Sequence, residues 1–123
     1  EDLDQPVEST GNDFDIDAVT ERLSLPEDTV RHLLVRFVED YADAPKQIDG
    51  MIAGNRIDEA RRFAHSVKGV SLSLGLDRAG NTAASLEKSL RDENAAPDPV
   101  LISEFRKVMQ TTLSALKNWL DGN

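Results

Sequence analysis

Apolar residues recur along most of this chain at steps of three and four, the spacing that gathers side chains on one face of an α-helix. The stretch "DIDAVTERL" sets Ile16, Val19 and Leu23 on one side of a short first helix, with acids in its opening turn where they complement the helix dipole. A second helix opens at Pro26, a residue suited to the first helical position, and its buried stripe reads Val30, Leu34, Phe37, Val38 and Tyr41. Pro45 is expected to kink or break that helix, because proline lacks an N–H and its ring clashes with the preceding turn. Ile48, Met51 and Ile52 then carry the pattern to a stop at Gly54.

Asn55, with Asp58 three places on, predicts a capped start to the next helix, and Gly75 its end. Another helix runs from about Asp77 through Ala83, Leu86 and Leu90, and "NAAPDP" at 94 to 99 reads as a loop. Asp98 as N-cap and Pro99 in the first turn open the last helix. Its Leu101, Phe105, Val108, Met109, Thr112, Leu116 and Trp119 follow heptad-like spacing up to Gly122. No strand pattern and no internal repeat interrupts this series. The fold class is therefore all-α, most simply an antiparallel four-helix bundle with an additional short N-terminal helix.

Composition narrows the picture. A chain of 123 residues is one domain's worth of sequence, too short to hold a separate nucleotide-binding catalytic domain beside the bundle. Residues 1–13 are acidic, lack any base and contain almost no apolar side chain, so they read as a linker ahead of a bundle domain at 14–121. Lys and Arg total 14 against 23 Asp and Glu, a formal charge of -9, which disfavours nucleic acid as a partner. No apolar run is long enough for membrane insertion, and with no cysteine there is no disulfide or thiolate site. A cytoplasmic location is the expectation.

Candidate chemistry lies in "RRFAHSVKGVSLSLG", residues 61–75. At about 100° per residue, Ala60, Phe63, Val67, Val70 and Leu74 cluster on the side a bundle would bury, and His65 points the opposite way. Asp58, Arg61, Arg62, Lys68, Gly69 and Leu72 fall within about 60° of the His65 direction. The imidazole is thus expected in water, among cations, one turn before a residue with no side chain. Gly69 costs a helix about 1 kcal/mol relative to alanine, so access to the ring by another molecule is the reason offered for it. His32 lies opposite the apolar stripe of its own helix and is read as an ordinary solvated residue. No glycine-rich phosphate cradle follows a strand anywhere, which excludes an ATP site of that kind; "GVSLSLG" lies within a helix.

His65, Lys68, Gly69, Leu74 and Gly75, with Ala64 before them, match the H-x-x-K-G-x-x-x-x-[LIM]-G pattern of histidine-containing phosphotransfer (HPt) domains, as found in hybrid sensor kinases and free relay proteins. The resemblance extends over most of residues 14 to 120, from a phenylalanine-acid opening at Phe14 through an "LL..F" helix to a helix ending in "LE". Leu72 departs from it, since the family tends to have a small residue there.

The resemblance implies that His65 accepts a phosphoryl group from a receiver-domain aspartate and passes it to another receiver domain. Lys68 would neutralise phosphoryl oxygens, and Gly69 would leave room for the partner. Arg61, Arg62 and Leu72 would serve docking, and Mg2+ would come with the receiver rather than with this chain. The chain would be a phosphoryl carrier rather than an enzyme, either free-standing or the cytoplasmic tail of a membrane-bound sensor kinase. Two alternatives keep the same fold: a module that docks receivers without relaying phosphate, and the phosphoacceptor domain of a chemotaxis-type kinase.

Overall fold

Six helices make up the regular structure in a computed structural model that describes residues 16–92 and 96–122. They are α1 (Ile16–Leu23), α2 (Glu27–Tyr41), α3 (Ala44–Ala53), α4 (Ile57–Ser73), α5 (Asp77–Leu90) and α6 (Pro99–Gly122). The expected linker at 1–13, Phe14 and part of the 94–99 loop lie outside the described residues. Pro45 does separate α2 from α3, sitting in the first turn of α3 where its missing N–H costs nothing. Together α2 and α3 fill the place of one bundle member, with α4, α5 and α6 as the other three and α1 as the extra short helix. The all-α helical bundle read from the sequence is the observed architecture.

Two helix ends share one device. Gly75 adopts φ +78, Leu76 N–H bonds back to the Ser71 carbonyl at 2.8 Å, and Gly75 N–H bonds to that of Leu72 at 3.2 Å. This is the Schellman arrangement, and it turns the chain tightly enough for α5 to fold back along α4. At the end of α3 the same pair of bonds runs from Arg56 to Met51 and from Asn55 to Ile52, with Asn55 at φ 58. Asn55 therefore closes α3 instead of capping α4, which starts after Arg56 with no side-chain cap. Asparagine tolerates the left-handed region, and that property prevailed over its capping tendency. Pro26 is likewise the N-cap of α2, one residue before the position expected for it. Asp98 caps α6 as expected, its carboxylate accepting from Val100 N–H at 2.9 Å.

The core is drawn from every layer: Phe37 of α2, Ile48 of α3, Val67 of α4, Leu86 of α5, and Phe105, Met109 and Leu116 of α6 are all buried. Helices α4 and α5 make the closest pairing in the bundle. Small residues permit it: Ala60, Ala64 and Ser71 of α4 and Ala79, Gly80 and Ala83 of α5 are all buried. That close approach sets the rotation of α4. Its buried face is centred on Ala60, Ala64, Val67 and Ser71, about 50–60° from the direction set by the larger side chains. Val70, expected in the core, is exposed, and Phe63 is only half-buried. The bulky residues face the gap toward α2, where Tyr41 meets Phe63 edge-on at 6.1 Å.

Candidate functional site

The rotation of α4 brings the side chains of His65 and Lys68 toward α5, one turn apart on the helix flank. There they meet a residue that stood out in the sequence only as half of the "LE" pair at 86–87, with no role assigned to it. Glu87, in the apolar stripe of α5 between Ala83 and Leu90, is 3% exposed, yet its carboxylate is fully engaged. Lys68 Nζ stands 2.9 Å from Oε1, while His65 Nδ1 lies 2.9 Å and Arg91 Nη2 3.1 Å from Oε2. These donors, Lys68 foremost, hold the Glu87 carboxyl down at about 2 against an ordinary value of 4.5, although burial pulls the other way. The group is therefore ionised at neutral pH and accepts at both oxygens.

Ionised Glu87 fixes the tautomer of His65. A carboxylate has no proton to give, so Nδ1 must donate, and the neutral ring keeps its lone pair on Nε2. The imidazole side chain is 62% exposed. The histidine is accordingly a solvent-facing imidazole anchored through Nδ1. Lys68 is not a solvated cation as expected but sits on Glu87 with its side chain 27% exposed.

Gly69 has open space around it, since a Cβ added there would meet no atom within 4 Å. Nothing inside the molecule requires glycine at this position. On the same side, Leu33, Phe37 and Tyr41 of α2 and His65, Gly69 and Val70 of α4 line a groove of about 730 Å³. Leu33 and Val70 show the groove an exposed apolar surface.

The residues expected to serve docking have other engagements. Arg61 donates to Asp58 at 2.7 Å, and Arg62 donates to the same carboxylate through Nε at 3.1 Å and through Nη2. Those bonds, that from Arg61 first, lower the Asp58 pKa. The two arginines are thus tied to one carboxylate on their own helix, and the trio keeps one net positive charge. Leu72 lies over α5: a Cβ added at Gly80 would stand 2.6 Å from Leu72 Cγ. Its side chain covers Gly80 and remains partly exposed beside the site. His32 faces solvent as expected, its Nδ1 2.9 Å from the Asp28 carbonyl.

Glu87 was missed because a glutamate after Leu86 reads as surface. The available signal was its register, for position 87 lies one helical turn after Ala83 and within the buried stripe. Among the described residues no group of three or more His, Cys, Asp and Glu side chains is placed to hold a metal ion. No helix there is long and apolar enough to cross a membrane.

No curated protein and no solved structure matches the chain. The family model described as "Hpt domain" matches residues 32–119, which takes in α4, α5 and the whole Glu87 cluster. With an exposed histidine on a helix flank inside that span, the chain belongs to the Hpt domain family, the histidine-phosphotransfer domains of phosphorelays, whose partners are receiver domains.

Proposed function

We propose that His65 is the phosphoacceptor, taking the phosphoryl group on Nε2 from a receiver-domain aspartyl phosphate and passing it to another receiver. The observation that carries this reading is the 2.9 Å contact between His65 Nδ1 and buried Glu87, which leaves Nε2 as the free nucleophilic nitrogen. In the forward step the Nε2 lone pair forms the N–P bond as the acyl phosphate P–O bond breaks, and the aspartate leaves with that electron pair. The imidazole retains its Nδ1 proton and gains positive charge, which the Glu87 carboxylate stabilises across the hydrogen bond. The return step reverses these changes.

Phosphoryl transfer depends chiefly on positioning and on neutralising the oxygens, and Lys68, one turn from His65, is the cation placed for that work. The open space at Gly69 and the apolar groove toward Leu33 and Val70 suit the close approach of a receiver. Leu72, seated over Gly80 of α5, stays partly exposed outside that groove. Arg61 and Arg62, held on Asp58, contribute a mixed-charge rim rather than free cations. Mg2+ belongs to the receiver, where the acyl phosphate is held. The chain itself is a carrier without an ATP site.

The test is to incubate the chain with a phosphorylated receiver and follow acid-labile, base-stable label. Transfer to the parent chain and its loss in a folded His65→Gln variant are expected. Label that persists in that variant would move the acceptor elsewhere. A parent that binds the receiver without taking label would be a docking module.

A further inference from the structure

Resting on His65 as the acceptor, a second role follows from the way three donors share one buried carboxylate. Glu87 is held by Lys68 on Oε1 and by Arg91 and His65 on Oε2. Before phosphorylation, two permanent cations surround one permanent anion. A phosphoryl group on His65 Nε2 places about two negative charges on its oxygens one helical turn from Lys68, while the ring, keeping its Nδ1 proton, becomes cationic.

Lys68 and Arg91 are not equivalent in what they can do next. A lysine ammonium is a compact charge on a flexible stem with three rotatable donors, and Lys68 shares the helix of His65. Arg91 is the C-cap of α5, one turn after Glu87 on the same helix, and its contact does not involve α4. If Lys68 turned to the phosphoryl group with no Arg91 present, a 3% exposed carboxylate would lose its only permanent counter-charge and keep just the His65 ring proton, whose positive charge the phosphoryl group itself offsets. That loss is unfavourable enough to hold the ammonium where it is.

We propose that Arg91 is a positioning residue that keeps Glu87 paired while Lys68 passes from Glu87 Oε1 to the phosphoryl oxygens on His65. Phosphorylation thereby moves one ammonium between two anions, and each anion retains a cation. No covalent bond changes in this handover and no proton moves. Arg91 acts through Lys68 and does not touch the reacting atoms.

A double-mutant cycle on the intact chain tests it. Parent, Lys68→Ala, Arg91→Gln and the double variant are phosphorylated by a labelled receiver, and the rate of onward transfer to an unlabelled receiver is measured. In the parent background Lys68→Ala is expected to slow transfer about tenfold. In the Arg91→Gln background the same change is expected to slow it less than about twofold, because Lys68 is already retained by Glu87. Arg91→Lys is expected to restore most of the Lys68 effect. Nitrogen NMR of the Lys68 ammonium supplies a readout that simple stabilisation by Arg91 would not move: its signal should shift on phosphorylation in the parent and stay put in Arg91→Gln.

Equal effects of Lys68→Ala in both backgrounds, or an ammonium signal that shifts alike in both, would overturn the handover while leaving His65 as acceptor. Absence of label from the folded parent would instead overturn the acceptor assignment and the handover together. Arg91 is 61% exposed at a helix end, so its variants are expected to fold, and a denaturation curve verifies this.

Discussion

Gly69 and Glu87 hold the clearest information at the level of single residues, and only one of them was legible beforehand. The glycine stood out because an exposed helix interior disfavours it, and the structure surrounds its Cβ position with open space. Gly69→Ala should therefore stabilise the bundle by up to about 1 kcal/mol on helix propensity, with transfer little changed. Gly69→Phe should slow transfer to a receiver by more than tenfold while the fold persists. Denaturant midpoints and transfer rates on the two variants check both statements, and equal rates for glycine and phenylalanine would remove the steric account. Glu87 carries the greater share of the geometry, yet its type pointed away from its role. A charged residue is buried only when paired, and besides Arg91 four places on, the pairing partners come from α4, 22 and 19 positions earlier in the chain. Local sequence spacing holds no record of that contact. Register alone gave a hint, and size-weighted hydrophobicity obscured it by favouring Phe63 and Val70 over Ala64 and Ser71.

Helices, turns and the break at Pro45 were legible because their causes are local: periodicity, caps and backbone freedom act within a few residues. The rotation of α4 was not, since it depends on how closely α5 can approach. Gly80 decides part of that distance, with Leu72 seated on it. In Leu72→Ala, partial burial predicts a loss of about 1–2 kcal/mol, between the near-zero cost of a solvated leucine and the 2–5 kcal/mol of a fully buried one. Gly80→Ala gains helix propensity but sets its Cβ 2.6 Å from Leu72 Cγ and 3.3 Å from the Leu72 backbone nitrogen, so alone it should be destabilising. Combined with Leu72→Ala it should cost much less, because only the backbone contact remains. Urea denaturation of the four proteins measures this coupling. Additive losses would mean that Leu72 does not rest on Gly80, and the surface beside His65 would then be shaped differently.

The chain as a whole is acidic, with a formal charge of -9, and its bundle places two permanent cations around one buried carboxylate. These two facts predict opposite responses to acid. Protonating surface carboxylates relieves overall repulsion and favours the folded state as pH first falls. Protonating Glu87 does the reverse. Its folded-state value of about 2 lies below the ordinary 4.5, so the unfolded chain takes up this proton first. The stabilisation is fully present above about pH 4.5 and is lost progressively as pH falls toward about 2. Asp58, also lowered by its arginines, acts in the same direction, but it is common to the parent and to a Glu87→Gln variant. Comparing the two proteins therefore isolates Glu87. The parent should be the more stable at pH 7, and the gap in urea midpoint should narrow between pH 4.5 and 2, since glutamine has no proton to gain there. A gap that stays constant over that interval would mean that the folded state does not prefer the charged form of Glu87. In that case the carboxylate could not fix the His65 tautomer, and Nε2 would lose its claim as the free nitrogen.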